Sequence, residues 1–137
     1  CAGFGLAGLV FFFGQGLVAI ITLETVNYLE HYGLERRRLP NGRYERTDHR
    51  HSWNSNYLLT NMLLFQLQRH ADHHANPTRR YQTLRHFDDS PQLPAGYATM
   101  MVLAWIPALW HRVMDPRVLA YYDGKPPNAD YPESVSA

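Results

Sequence analysis

Hydrophobic positions are spread along this chain in two very different ways. Residues 2–23 form an apolar run without charge, in which Gln15 and Thr22 are the only polar side chains. The run is 22 residues long, against the roughly 20 needed to cross a hydrocarbon core of about 30 Å. Twelve of its residues are Leu, Ile, Val or Phe, and at about −0.3 to −0.6 kcal/mol each they favour insertion by roughly 4 to 7 kcal/mol. No polar stripe recurs at helical spacing, so the run predicts a transmembrane helix rather than a buried helix of a soluble core. No breaker follows until Gly33, which suits a helix C-cap. The expected helix therefore covers about residues 2–32 and carries His31 roughly 12 Å past the hydrocarbon edge. Gly3, Gly5 and Gly8 spell GxGxxG, but no strand precedes them, so a dinucleotide site is rejected.

Beyond Gly33 the pattern becomes mixed. Residues 39–44 read LPNGRY, whose Pro40, Asn41 and Gly42 predict a short hairpin or loop. Ser52 or Asn54 is placed to cap a second helix over about residues 55–75, which Asn76 and Pro77 end. A second apolar patch over residues 97–110 is interrupted by Pro107 and is too short to span. It predicts an interfacial or re-entrant helix over about residues 95–112, with Tyr97, Trp105 and Trp110 at headgroup depth. Gly124, Pro126, Pro127 and Pro132 make residues 123–137 an expected flexible tail. The fold class expected is all-α: a membrane helix bundle fragment whose one long transmembrane helix extends into a cytoplasmic, histidine-bearing helical platform within residues 1–122.

Composition sharpens this reading. The chain has 137 residues, 13 Lys plus Arg, 12 Asp plus Glu and eight His, for a net charge of +1. Every charged residue falls after Leu23. The near-neutral balance without a long basic tract argues against a nucleic-acid partner. Cys1 is the lone cysteine, which excludes an intramolecular disulfide framework and a cysteine zinc ribbon. The chain starts on Cys1 and enters the apolar run with no basic region ahead of it, so it reads as a fragment rather than as a signal peptide. Arg36, Arg37 and Arg38 follow the span directly, and such an excess of positive charge marks the cytoplasmic side.

If a metal binds, histidine must hold it. His70, His73 and His74 fall within an arc of roughly 100° on one helical face. Three imidazoles so close have no packing role, and charging them together would be repulsive, so they are candidate metal ligands, with Asp72 pointing away. His31 joins them as a candidate by its place just above the membrane. Glu24, Asn27 and Glu30 are candidates to orient the ligand rings from behind, whereas His49, His51, His86 and His111 read as surface residues. Histidine ligation alone leaves zinc, copper, nickel and iron open, and a closed four-histidine zinc site is a legitimate rival.

NYLEHYGLERR at residues 27–37, HSWNSN at 51–56 and LQRHADHHANPTRRYQTLR at 67–85 resemble the bacterial membrane-bound alkane 1-monooxygenases. The likeness runs from about Glu24 to Val118, and NYxEHYG separates these enzymes and the xylene monooxygenases from the wider histidine-rich desaturases and hydroxylases. Ala71 stands where the family usually has Ser, and Arg50 where it often has His. The resemblance implies a non-haem diiron centre at the cytoplasmic mouth of a multi-pass helix bundle in the bacterial inner membrane, with residues 1–122 as the C-terminal part of the catalytic domain. It makes His31, His70, His73 and His74 iron ligands and implies two further histidine boxes upstream, without which this portion alone would be inactive. The implied reaction uses O2 to convert a medium-chain n-alkane to a 1-alkanol. Its electrons come from rubredoxin, itself served by a rubredoxin reductase. Arg36, Arg37, Arg38, Arg79, Arg80 and Arg85 then become candidates for docking an acidic rubredoxin, or for anchoring to anionic lipid. Phe11, Phe12, Phe13 and Leu17 are candidates to line the substrate path. Alternatives are a xylene-type hydroxylase, an epoxidase, a fatty-acyl desaturase, or a non-catalytic membrane-anchored metal-binding module.

Overall fold

The computed structural model describes residues 3–125; residues 126–137, which hold most of the expected tail, lie outside them. Among these residues five α-helices follow one another: α1 (Gly5–His31), α2 (Leu58–Leu63), α3 (His70–Ala75), α4 (Tyr97–Ala104) and α5 (Pro107–Tyr121), with single 3-10 turns at His49–His51 and Tyr81–Thr83. Among the described residues there is no β-strand, only isolated bridges at Arg38 with Tyr44 and at Asn54 with Gln92.

α1 is 27 residues long, about 40 Å at 1.5 Å per residue. It is long and apolar enough to cross a membrane, and none of its most apolar stretch is buried against the rest of the chain. Phe11, Phe12, Phe13 and Leu17 are all exposed. Thr22 and Thr25 donate their hydroxyls to the carbonyls of Val18 and Ile21, both at 2.8 Å, so the polar side chains near the end of the run are satisfied within the helix itself. The helix ends where expected. Gly33 takes φ +68°, and a Cβ there would stand 2.7 Å from Val118 Cγ2. Glycine is therefore required twice, by backbone conformation and by the approach of α5.

The expected loop at residues 39–44 is present. Leu39 N donates to Arg43 O at 2.7 Å and Gly42 N to Leu39 O at 2.9 Å, with Gly42 at φ +77°. The expected helix over residues 55–75 is corrected: it is broken into α2 and α3. Phe65 and Gln66 both adopt left-handed backbone, at φ 51° and 59°. The break lets Gln68 bury completely, where its Oε1 accepts from Thr60 Oγ1 and from Tyr97 N, each at 3.1 Å. Arg69 meanwhile donates to Leu84 O and Gln66 Oε1. An unbroken helix could not make both sets of bonds. Ser52 and Asn54 cap nothing at α2, which begins at Leu58 after Tyr57 without a side-chain cap.

The apolar patch after Gly96 is two helices. α4 and α5 pack on one another as a hairpin, and Pro107 opens α5 at its first turn, where its missing N–H costs nothing. α4 lies along the end of α1: the Tyr97 hydroxyl reaches Glu30 at 2.8 Å, and Trp105 Nε1 reaches Thr25 Oγ1 at 2.9 Å. α5 returns, with the Trp110 ring 5.2 Å from the rings of both Tyr28 and Tyr32. The core is Leu29, Trp53, Leu93, Tyr97, Met100, Trp110, Met114 and Val118. Tyr97 and Trp110 are thus core residues with no exposed surface rather than headgroup anchors, because the hairpin folds them inward against α1; Trp105 at the tip stays 63% exposed.

Candidate metal centre

The last residue of α1 and the short helix α3 supply the site. His31, His70 and His74 each offer a ring nitrogen, and these atoms lie within 4.8 Å of one another. His31 Nδ1 lies 3.1 Å from the His51 carbonyl oxygen, which can only accept, so Nδ1 carries the proton and Nε2 the lone pair. That Nε2 faces His74 Nε2 at 3.4 Å. The His70 ring packs edge-on against His74, with centroids 4.5 Å apart, and its Nε2 lies 3.3 Å from Glu30 Oε2. Burial, then the neighbouring imidazoles, push His70 down to about 3 and His74 down to about 4. Both rings are neutral at physiological pH and keep a lone pair for a cation. The donor set fits a divalent transition metal: several neutral imidazoles, a tautomer fixed by a carbonyl, and a carboxylate beside one ring.

His73 is placed differently. It is exposed, its ring 5.7 Å from that of His70 and 6.4 Å from that of His74, and it lies outside the three-nitrogen group. Of the carboxylates and amides expected to back the ligands, the structure brings only Glu30 to them. Glu24 and Asn27 are exposed: they share the His31 face of α1 but stand about two turns and one turn before it, roughly 10 and 6 Å short of the cluster along the helix. Glu24 instead edges a groove of about 560 Å³ with Ile20, Ile21, Thr25, Trp105 and Pro107.

The HSWNSN segment is the frame that holds α1 and α3 together. Trp53 N donates to Glu30 O at 2.8 Å and Ser55 N to Gln68 O at 3.1 Å. Asn54 Oδ1 accepts from Ala71 N at 3.0 Å, satisfying an otherwise orphaned N–H in the first turn of α3. His51, expected at the surface, is buried. Its ring lies 2.9 Å from both Glu45 Oε1 and Asp48 Oδ1, so its carbonyl is held rigidly toward His31. Sequence reasoning missed this role, although the motif itself was legible.

It also missed Asp72, which has no exposed surface. Oδ2 accepts from Arg79 Nη1 at 2.7 Å and from Arg85 N at 2.9 Å, while Oδ1 accepts from Asn76 Nδ2 at 2.9 Å. Burial would raise this carboxyl, but those hydrogen bonds outweigh it and hold Asp72 below the usual carboxylate range. The downstream arginines were the available signal. Within the expected basic collar, Arg79 is committed to Asp72 through its guanidinium, and Arg85 through its backbone N–H and, at 3.6 Å, its guanidinium. Arg36 lies over the Tyr44 ring, the Arg37 N–H donates to Glu45, Arg38 pairs with Tyr44 through its backbone, and Arg80 is exposed.

Residues 1–104 match the family described as fatty acid desaturase. The chain belongs to that family, whose match takes in α1 and α3 and hence His31, His70 and His74. Within it the chain is similar to alkane 1-monooxygenases. It is 66% identical over 122 residues to alkane 1-monooxygenase 2 of Pseudomonas aeruginosa, covering 89% of this chain and 32% of that protein. It is 64% identical over 121 residues to alkane 1-monooxygenase 2 of Alcanivorax borkumensis, covering 88% and 32%. A more distant relative is the xylene/toluene monooxygenase hydroxylase component of Pseudomonas putida, 28% identical over 115 residues, covering 77% and 30%. The chain spans about a third of the length of the alkane monooxygenases it matches.

Proposed function

We propose that this chain is part of a membrane monooxygenase that hydroxylates the terminal methyl group of medium-chain n-alkanes to 1-alkanols at a histidine-ligated diiron centre. The observation that carries the reading is the meeting of His31, at the end of a membrane-length helix, with His70 and His74 in a chain so similar to named alkane 1-monooxygenases. His31, His70 and His74 would hold iron, and His73 would face ligands or iron supplied by the remaining part of the protein. The chemistry such a centre supplies is activation of O2 and insertion of one oxygen atom into an unactivated C–H bond.

This chain's own residues do the rest. Burial keeps the imidazoles neutral, Glu30 and the His51 carbonyl fix ring orientation, and the apolar faces of α1 and of the α4–α5 tip meet lipid, where an uncharged substrate dissolves. Arg36, Arg37 and Arg80, all exposed, and Arg38 beside them are the cations available to an acidic rubredoxin, with a rubredoxin reductase upstream of it, on the cytoplasmic face of the bacterial inner membrane. The test is metal analysis and turnover of the full-length protein. Two irons per chain and O2-dependent formation of 1-alkanol with rubredoxin and its reductase are expected. One zinc per chain without turnover would favour a metal-binding module instead, and turnover of a methylarene but no n-alkane would favour the xylene-type reading.

A further inference from the structure

We infer that Tyr97 is a positioning residue for the proposed metal centre, acting on His70 through Glu30. The inference rests on the reading of His31, His70 and His74 as metal ligands. Tyr97 has no exposed surface and Glu30 is only 3% exposed, so neither can turn to water for its hydrogen bonds. The Tyr97 hydroxyl donates to Glu30 Oε1 at 2.8 Å, while Glu30 Oε2 lies 3.3 Å from His70 Nε2. With one oxygen held by Tyr97, Glu30 keeps its second oxygen beside the His70 imidazole. A carboxylate behind a ligand ring fixes the tautomer and raises the basicity of the other nitrogen.

The same residue also holds the backbone that leads into His70. Tyr97 N donates to Gln68 Oε1 at 3.1 Å, and the Gln68 carbonyl accepts from Ser55 N at 3.1 Å, two residues before His70. Tyr97 thus joins α4, the end of α1 and the start of α3 at one buried point. Replacing the hydroxyl alone separates the two functions, because Tyr97→Phe keeps the ring in the core and the backbone bond to Gln68.

The experiment uses the full-length protein carrying this chain. Iron(II) affinity is measured by chelator competition, and the cobalt(II)-loaded protein is read by its ligand-field absorption. Tyr97→Phe is expected to weaken iron binding by about tenfold, at the low end of the range for such outer partners, and to shift the cobalt bands. Glu30→Gln should do the same, and the double variant should add nothing further. Wild-type affinity and spectrum in Tyr97→Phe, with metal lost in His70→Asn, would overturn the positioning role while leaving the metal reading intact; so would multiplicative effects of the two changes. Full metal content in His70→Asn would remove the metal reading and this inference with it. If Tyr97→Phe fails to fold, Glu30→Gln decides alone, and unchanged affinity there overturns the inference.

Discussion

At the scale of single residues, the site is governed by what water is kept away from. His70 and His74 titrate at about 3 and about 4, against an ordinary 6.5, chiefly because burial penalises their charged forms. The sign follows from linkage: below about pH 6.5 these two rings bind more protons in the unfolded chain than in the folded one, so the stability they contribute is fully present above that value and is lost as the pH drops toward 3 to 4. Between pH 7.5 and pH 5 the melting temperature of metal-free full-length protein in detergent should therefore shift in the destabilising direction relative to that of His70→Asn, which lacks one of these groups. An identical pH dependence in the variant would show that His70 does not bear it. Gly33 offers a second test. Gly33→Ala should cost about 1–2 kcal/mol for the left-handed backbone and about 1–3 kcal/mol for crowding Val118, read as a lowered midpoint in denaturant. These residues differ in how legible they were. The histidines stand out by type and spacing, whereas Asp72 and Tyr97 look ordinary until their burial is known.

At the scale of elements, the informative departure is the break between α2 and α3. Leu58, Leu59, Met62, Leu63 and the later histidines suit one continuous helix by composition. Gln68 and Arg69 defeat it, because their amide and guanidinium groups find better partners in Tyr97, Thr60 and Leu84 than a continuous helix would give them. The competition is local helix propensity against long-range hydrogen bonds, and propensity is the weaker of the two. A β-branched residue is especially poor in left-handed backbone. Gln66→Val should therefore destabilise the fold by more than the few tenths of a kcal/mol that valine would cost in an unbroken helix, read as a lowered midpoint in denaturant. α1 shows the opposite case. Its length, its end near Gly33 and its apolar surface were all legible, since along the apolar run the helix satisfies its own backbone groups.

At the scale of the whole molecule, charge is divided between structure and surface. Arg79 meets a fully buried carboxylate, so Arg79→Gln should destabilise the fold at any salt concentration, toward the lower end of the roughly 3–5 kcal/mol typical of breaking a buried pair, because Arg79 is itself partly exposed. The double change Arg36→Gln with Arg80→Gln should leave the melting temperature unchanged. It should raise the rubredoxin concentration giving half-maximal turnover at low salt only. Equal effects at low and high salt would leave these two arginines to the lipid surface. What the sequence determined by itself was everything encoded in contiguous strings: the membrane-length helix, its glycine stop, the histidine spacing and the family likeness, because hydrophobic runs and local motifs need no partner to be read. Only the tertiary structure decided which imidazoles converge, that Glu30 rather than Glu24 or Asn27 lies beside one of them, and that Tyr97 and Trp110 turn inward. Those outcomes depend on which face of one element meets another, and that is set by the joint satisfaction of buried polar groups across segments far apart in the chain.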